Sequence, residues 1–163
     1  MKTSDFNYDL PPELIAQTPA KERSASRLLV YDRGTRTISD EVFTDIVRHL
    51  RPGDVLVRNT TRVIPARIFG HRPETGGTME FLLLKRLDAH HWECLVRPGR
   101  RAKPGLTYTI SDELSATICE PTDAGGRVIR LDYDGVFEEI LDRVGEMPLP
   151  PYITERLAER ERY

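Results

Sequence analysis

The sequence is poor in the residues that usually hold a metal ion or a disulfide framework. Its 163 residues include only two cysteines, Cys94 and Cys119, and four histidines. Both cysteines lie in apolar, strand-like runs, so two buried thiols are expected in preference to a disulfide between them. No Cys-x-x-Cys spacing occurs and the histidines are scattered, which argues against zinc. The sequence therefore predicts no bound metal.

Long apolar runs and familiar catalytic motifs are missing as well. No segment approaches the roughly 18 apolar residues of a membrane-spanning helix, and the acidic N-terminus, with Asp5 and Asp9, does not resemble a secretory signal. A cytoplasmic location is therefore expected. The chain has no Gly-x-Gly-x-x-Gly, P-loop, Gly-x-Ser-x-Gly or His-Glu-x-x-His motif. No general acid or base can be assigned from the sequence.

Charge is distributed unevenly along the chain. The formal net charge is −2, but residues 51–105 hold eleven Lys and Arg against five Asp and Glu. This middle segment therefore carries +6 and the remainder of the chain −8. A basic patch of this kind attracts phosphate whatever the overall pI. A solvated arginine-rich surface explains the charge alone equally well.

The first third of the chain has an α/β pattern. Residues 27–40 contain two short strand-like runs joined by a turn. Apolar residues at helical spacing predict a helix over 42–50, capped by Ser39 or Asp40. The apolar run 55–57 then predicts a strand, which completes a strand–helix–strand beginning.

Strand signals dominate after Gly70. Short apolar runs are separated by loops and Pro-Gly turns, and they cover 79–86, 92–97, 106–110, 114–119 and 127–133. Short strands at this spacing predict a small antiparallel barrel. A helix over 136–144 follows, with Asp134 as its N-cap and Gly145 as its C-cap.

Together these patterns predict an α/β domain with an inserted small antiparallel β-barrel domain. The α/β part comprises residues 1–69 and 146–163, and the barrel with its closing helix comprises 70–145. The last run, 154–163, is strongly charged and has neither a stop signal nor a clear apolar face. The α/β domain is therefore expected to be incomplete at its C-terminus.

The segment 58-RNTTRVIPAR-67 carries the first candidate site. It follows a predicted strand, and Pro65 prevents it from continuing as a central strand. An irregular exit from a strand of an α/β sheet is where ligands usually bind. Asn59 and Thr61 can bond to a ribose or a base, while the arginines can fork onto phosphate or carboxylate. The alternative is a structural loop whose polar groups satisfy one another.

The segment 95-LVRPGRRAKPG-105 carries the second candidate site. Arg97, Arg100, Arg101 and Lys103 lie around two Pro-Gly turns, which predicts a protruding basic loop. Dense positive charge of this kind suits contact with a phosphate backbone better than reading of bases. A surface hairpin with solubilising charges is the alternative.

Six long blocks of the sequence resemble one family. They are 5-DFNYDLPPELIAQTP-19, 23-RSASRLLVYDR-33, 52-PGDVLVRNTTRVIPARIFG-70, 76-GGTMEFLLL-84, 92-WECLVRPGRRAKPG-105 and 148-PLPPYI-153. They are similar to the N-terminal half of the S-adenosylmethionine:tRNA ribosyltransferase-isomerases of queuosine biosynthesis. The resemblance implies an α/β domain carrying an inserted β-barrel. It also implies transfer and isomerisation of the ribosyl part of S-adenosylmethionine onto 7-aminomethyl-7-deazaguanine in a tRNA anticodon, giving epoxyqueuosine.

The resemblance also suggests two sets of binding residues. The set expected to bind substrate comprises Arg27, Asn59, Thr61, Arg62, Arg67, Pro150, Pro151 and Tyr152. The set expected to grip the tRNA backbone comprises Arg97, Arg100, Arg101 and Lys103. Arg67 is expected either to order its loop or to pair with a ligand, and Tyr152 either to stack on a purine or to pack in a turn.

The same resemblance also predicts the binding partners and the oligomeric state. The expected partners are a tRNA with a GUN-type anticodon carrying the deazaguanine precursor, and S-adenosylmethionine as a co-substrate, so no cofactor is expected. A monomer is expected. Family members continue beyond the pair seen here as Arg162-Tyr163, so the chain is expected to be a fragment that is inactive alone. Two other readings stay open: a non-catalytic RNA-binding module on the same scaffold, and a partner-binding barrel without nucleic acid.

Overall fold

A computed structural model describes residues 1–155 of the chain. Residues 156–163, which make up most of the charged run 154–163, lie outside the described residues. The chain divides into two compact units, one of Met1–Thr61 with the described residues from Pro151 on, and the other of Arg62–Pro150. The predicted boundaries of the two domains stay a prediction.

The Met1–Thr61 unit contains one small sheet. Strand β1 (Arg27–Asp32) pairs antiparallel with β2 (Thr37–Val42), as predicted for residues 27–40. The remaining regular structure of this unit consists of 3-10 helices, which cover Thr3–Phe6, Pro12–Leu14, Arg23–Ala25 and Phe43–His49.

The helix predicted over 42–50 is present only as the 3-10 helix Phe43–His49. Neither Ser39 nor Asp40 caps it, because β2 runs through both residues and keeps them in extended backbone. The carboxylate of Asp45, in the first helical turn, instead accepts a hydrogen bond from the backbone N–H of Val42 at 3.2 Å. The predicted capping residues were therefore wrong.

The strand predicted over residues 55–57 is not formed. These residues belong to no helix or strand, and their side chains are between 66% and 87% exposed. A strand requires a neighbour to receive its backbone hydrogen bonds, and no strand of the described chain pairs with this segment. The predicted strand over residues 55–57 was therefore wrong.

Residues 62–150 form a closed antiparallel barrel of six strands. The strands are β3 (Arg67–His71), β4 (Thr78–Arg86), β5 (His91–Arg97), β6 (Thr107–Ser111), β7 (Leu114–Pro121) and β8 (Arg127–Tyr133). Their order around the barrel is β3-β4-β5-β8-β7-β6, and β6 returns to pair with β3 through Thr109 and His71. The predicted barrel is confirmed, with β3 as a sixth strand that the sequence patterns did not indicate.

Alternation along the strands builds the core of the barrel. In β4, Met79, Phe81 and Leu83 are buried, while the residues between them are more exposed. All buried apolar side chains among the described residues lie between Pro65 and Leu141. The core of the described chain therefore belongs to the barrel unit.

The barrel closes through a close approach of β3 to β6 at Gly70. A Cβ atom on this residue would lie 2.8 Å from the Cβ of Tyr108, closer than two carbon atoms can pack. The Tyr108 ring then meets the Phe81 ring edge to face, with 5.6 Å between their centroids. Glycine at this position lets the two strands meet, and the aromatic pair fills the space beneath them.

One α-helix packs on the barrel. Helix α1 (Phe137–Val144) buries Phe137, Ile140 and Leu141, which recur at the i, i+3, i+4 spacing of one helical face. The ring of Phe137 lies 5.6 Å from the ring of Trp92. The helix predicted over 136–144 is confirmed.

The sequence predicted one end of α1 correctly and the other wrongly. Gly145 is the C-cap, as predicted, and a side chain there would collide with the backbone carbonyl of Pro65. The predicted N-cap, Asp134, is wrong. Val136 occupies the N-cap position and makes no side-chain hydrogen bond.

Replacing Phe81 by alanine should lower the free energy of unfolding by about 3–5 kcal/mol, because the change leaves a cavity in the core. Phe69 on β3 is 45% exposed, so Phe69→Ala should cost about 1 kcal/mol or less. Urea unfolding followed by the fluorescence of Trp92, the single tryptophan, measures both. Equal losses for the two variants would contradict this description of the core.

Candidate functional site

The residues after Arg58 form a short turn. The side-chain Oδ1 of Asn59 accepts a hydrogen bond from the backbone N–H of Thr61 at 2.8 Å, the local pattern by which asparagine stabilises turns. Asn59, Thr61 and Arg62 are exposed. Within the described chain, the Asn59 amide nitrogen and the Thr61 hydroxyl have no other hydrogen-bond partner. Both groups are free to bond to a ligand.

Arg27 is held on the surface of the β1–β2 hairpin. Its Nη2 lies 3.0 Å from Oδ1 of Asp40, and both side chains are largely exposed. An exposed ion pair of this kind is worth about 0–1 kcal/mol, so a competing anion can displace it. The contact joins Arg27 to Asp40 and not to Asn59 or Thr61.

The segment that contains Tyr152 is anchored by Gln17. The Gln17 Nε2 donates to the backbone carbonyl of Tyr152 at 3.0 Å, and its Oε1 accepts from the backbone N–H of Thr154 at 2.8 Å. The Tyr152 side chain is 58% exposed, and Pro151 is exposed as well. The tyrosine ring is therefore accessible, while its backbone is fixed.

Arg67 differs from the other arginines of the predicted substrate set. Its Nη2 donates to the carbonyl of Leu149 at 3.2 Å, and its backbone exchanges two hydrogen bonds with Glu146. Its Nε lies 3.1 Å from a carboxylate oxygen of Glu80. The buried N–H does not point at that oxygen, so the contact is an ion pair and not a hydrogen bond.

These contacts tie the start of β3 to the chain that follows α1. They support the expectation that Arg67 orders its surroundings, and pairing of Arg67 with a ligand stays a prediction. Pro150, half-buried, comes directly after Leu149 in the same unit.

The second predicted set lies on a basic loop, defined here as residues 97–103. Arg97 ends β5, and Gly99–Arg101 form one turn of 3-10 helix. Arg97, Arg100, Arg101 and Lys103 are all exposed and form no ion pair with any residue of 1–155. Four unneutralised cations on a seven-residue loop make a strong local attraction for anions.

Arg127 of β8 fixes the shape of the basic loop. Its Nε donates to the carbonyl of Ala102 at 3.0 Å, and its Nη2 donates to the carbonyl of Gly99 at 3.2 Å. The guanidinium therefore bonds to both ends of the 3-10 turn. Ala102 is buried as well. These contacts attach the loop to the barrel at its base while Arg100 and Arg101 stay exposed.

A cavity of about 600 Å³ lies beside the basic loop. This basic cleft is lined by Arg72, Thr75, Gly77, Thr78, Arg100, Arg101, Lys103, Leu106 and Tyr108. The loop between β3 and β4 reaches it because β6 closes the barrel against β3. The sequence patterns did not single out Arg72, Thr75 or Thr78, since only the closure brings them to the basic loop.

Other chemistry-bearing groups are inert or dispersed. Both cysteines are free, as predicted, but only Cys94 is buried; Cys119 is half-buried, so the prediction of two buried thiols was wrong for Cys119. Burial raises the pKa of the Cys94 thiol to about 12. In residues 1–155 no three His, Cys, Asp or Glu side chains are grouped to hold a metal ion. In the same residues, no helix combines the length and apolar character that crossing a membrane requires.

Residues 3–163 match the family described as queuosine biosynthesis protein. A relative from Clostridioides difficile strain 630 is 55% identical, and one from Symbiobacterium thermophilum is 57% identical; both are named S-adenosylmethionine:tRNA ribosyltransferase-isomerase. Each comparison covers 100% of this chain and 48% of the relative. The chain thus spans about half the length of the curated relatives it matches.

One solved structure is similar. It is the crystal structure of an S-adenosylmethionine tRNA ribosyltransferase from Thermotoga maritima, with 40% sequence identity and a TM-score of 0.42. The comparison covers 86% of this chain and 48% of that chain.

Replacing Arg67 by methionine should lower the free energy of unfolding by about 1–2 kcal/mol, because Glu80 loses its cation and Leu149 its donor. Arg62→Met is the matched control: its side chain is exposed and has no ion pair with the described residues, so about 0.5 kcal/mol or less is expected. Trp92 fluorescence during urea unfolding reports both values. An unchanged stability of Arg67→Met would contradict a structural role.

At about pH 8.5, where an ordinary thiol is half ionised, Cys94 should not react with a disulfide reagent in the folded protein. Its raised pKa keeps it protonated, and the thiolate is the reactive form. Half-buried Cys119 should account for the whole native reaction, which Cys119→Ser should abolish. Two thiols should react in denaturant. Reaction of both thiols before unfolding would be inconsistent with a buried Cys94.

Proposed function

Because the chain belongs to the queuosine biosynthesis protein family, we propose that it is part of a tRNA-modifying transferase. The enzyme would move and isomerise the ribosyl group of S-adenosylmethionine onto 7-aminomethyl-7-deazaguanine in the anticodon, giving epoxyqueuosine. The observation that carries this proposal is the family match over residues 3–163. The names of the relatives, at 50–57% identity, agree with it.

The tRNA substrate makes one physical demand that the barrel can meet. An anticodon arm presents a polyanionic backbone, and a protein that grips it must supply several cations at once. Arg97, Arg100, Arg101 and Lys103 do so on a loop attached to the core, and none is neutralised by a described residue. We propose these four residues as tRNA-backbone contacts.

The co-substrate makes a second demand, for polar groups that recognise a nucleoside. The amide of Asn59, the hydroxyl of Thr61 and the guanidinium of Arg62 are exposed, and they lie within four consecutive residues. Amide and hydroxyl groups can both donate to and accept from a ribose or a purine. We propose that these three bind S-adenosylmethionine, and that Arg27, Arg67, Pro150, Pro151 and Tyr152 complete the substrate site. No general acid or base is assigned.

The chain by itself should lack activity. Met1–Thr61 has no buried side chain among those described, and it exposes large apolar residues such as Leu29, Val55 and Val57. Apolar side chains left in water at this density are normally covered by further protein. We propose that this unit is incomplete here, and that the active protein is a cytoplasmic monomer using GUN-type tRNA without a cofactor.

A non-catalytic RNA-binding module is the second candidate function. The basic loop and the basic cleft lie wholly within the barrel unit, which has its own core. RNA binding could therefore operate without the nucleoside-binding residues. Binding of tRNA together with no affinity for S-adenosylmethionine in the longer protein would favour this function.

Incubation with labelled S-adenosylmethionine and precursor tRNA should give ribosyl transfer for these residues within a full-length family protein and none for the 163 residues alone. In the full-length form, Asn59→Ala and Arg62→Ala should each weaken S-adenosylmethionine binding roughly tenfold, the effect of about 1.4 kcal/mol of lost hydrogen bonding. Arg33→Ala, an exposed arginine in the β1–β2 turn, is the control and should bind normally. Transfer by the short chain, or wild-type affinity in both site variants, would refute these assignments.

A further inference from the structure

We propose that the basic cleft is a discrete subsite for the phosphodiester backbone of RNA, in which Arg72 acts together with Arg100, Arg101 and Lys103. The inference rests on the proposed function and adds to it a location, a shape and a residue outside the basic loop. Arg97, although part of that loop, does not line the cleft. The subsite is therefore a different set of residues from the loop itself.

The first argument is the imbalance of charge in the cleft. Four cationic side chains line it, and no acidic side chain does. Of these four cations, only Arg72 has an ion pair with a described residue, Glu74, at 3.6 Å. That contact is long and Glu74 is 70% exposed, so it holds the arginine weakly. Like charges gathered at one site repel one another, and a polyanion in the cleft would relieve that repulsion.

The second argument is the presence of hydroxyl donors among the cations. Thr75 and Thr78 line the same cleft. The Thr75 Oγ1 accepts a long hydrogen bond from the backbone N–H of Gly77 at 3.4 Å, which leaves its O–H able to donate. The Thr78 hydroxyl has no side-chain hydrogen bond within the described chain. Hydroxyl and guanidinium groups together are the usual donors to phosphate oxygens.

The third argument is the absence of a stacking surface, which separates backbone contact from base recognition. Tyr108 is the one aromatic residue of the cleft lining, and it is 2% exposed with its ring packed on Phe81. A base cannot stack on a ring that is covered in this way, and proteins that bind unpaired bases rely on exposed aromatic rings. The cleft therefore offers charge and donors without a platform for bases.

The fourth argument is that the cleft is pre-shaped. Arg127 bonds to both ends of the turn that carries Arg100 and Arg101, and the β3–β6 pairing at His71 and Thr109 fixes the opposite wall. Cations held in place before binding lose less conformational freedom when the ligand arrives. A volume of about 600 Å³ lies within the range of pockets that take a ligand larger than a single ion.

The test is the salt dependence of tRNA affinity in the intact protein, measured by filter binding. Arg72→Gln and Arg101→Gln should each weaken the affinity about three- to tenfold at low salt. Each should also reduce the slope of log K against log salt by about 0.7–0.9, the value for one lost phosphate contact. The double variant should lose about twice as much slope.

Lys85→Gln is the matched control. Lys85 is exposed, has no ion pair among the described residues and belongs to the same barrel unit. It lies seven residues along β4 from Thr78, about 23 Å at the rise of a strand. Removing its charge should leave the affinity and the slope unchanged.

The outcomes separate the subsite from the function on which it rests. If the wild type does not bind tRNA, both the subsite and the proposed tRNA substrate are overturned. If the wild type binds tRNA and Arg72→Gln keeps the wild-type affinity and slope, the subsite is overturned and the proposed function stands. Displacement of tRNA by polyglutamate as readily as by single-stranded RNA of equal charge would overturn the phosphate assignment.

Discussion

Closure of the barrel between β3 and β6 is the constraint on which the arrangement of residues 62–150 depends. The two strands meet because Gly70 has no side chain to collide with Tyr108. Pairing of His71 with Thr109 then brings the β3–β4 loop beside the chain that enters β6. The basic cleft exists at that junction. A side chain at residue 70 would separate the strands and with them the two walls of the cleft.

Arginine serves two different purposes in this barrel, and its surroundings decide which. Arg67 and Arg127 direct their guanidinium groups at backbone carbonyls and hold segments together. Arg100 and Arg101, on the turn that Arg127 secures, have no anionic partner in the described chain. The first kind of arginine is structural and the second is left free for a ligand. The sequence does not distinguish these two kinds of arginine; the hydrogen bonds of each side chain do.

The two units differ in how many apolar side chains they bury. The barrel unit contains every buried apolar side chain of the described residues, whereas Met1–Thr61 keeps apolar side chains in water. A unit without a core gains little from hydrophobic burial. For this reason an RNA contact is proposed for the barrel unit. Nucleoside binding and ribosyl transfer, by contrast, are proposed only for a longer protein.

The sequence by itself determined the elements whose pattern is local. Short apolar runs between turn signals predicted five of the six barrel strands, helical spacing predicted α1, and the density of cations predicted the basic loop. It could not determine contacts between distant segments. β3 was not predicted because its five residues hold only a two-residue apolar run, Ile68-Phe69. The run 55–57 lacks the neighbour that a strand requires. Arg72, Arg127 and the cleft became visible only in the tertiary structure, because strand order, not sequence proximity, decides which loops meet.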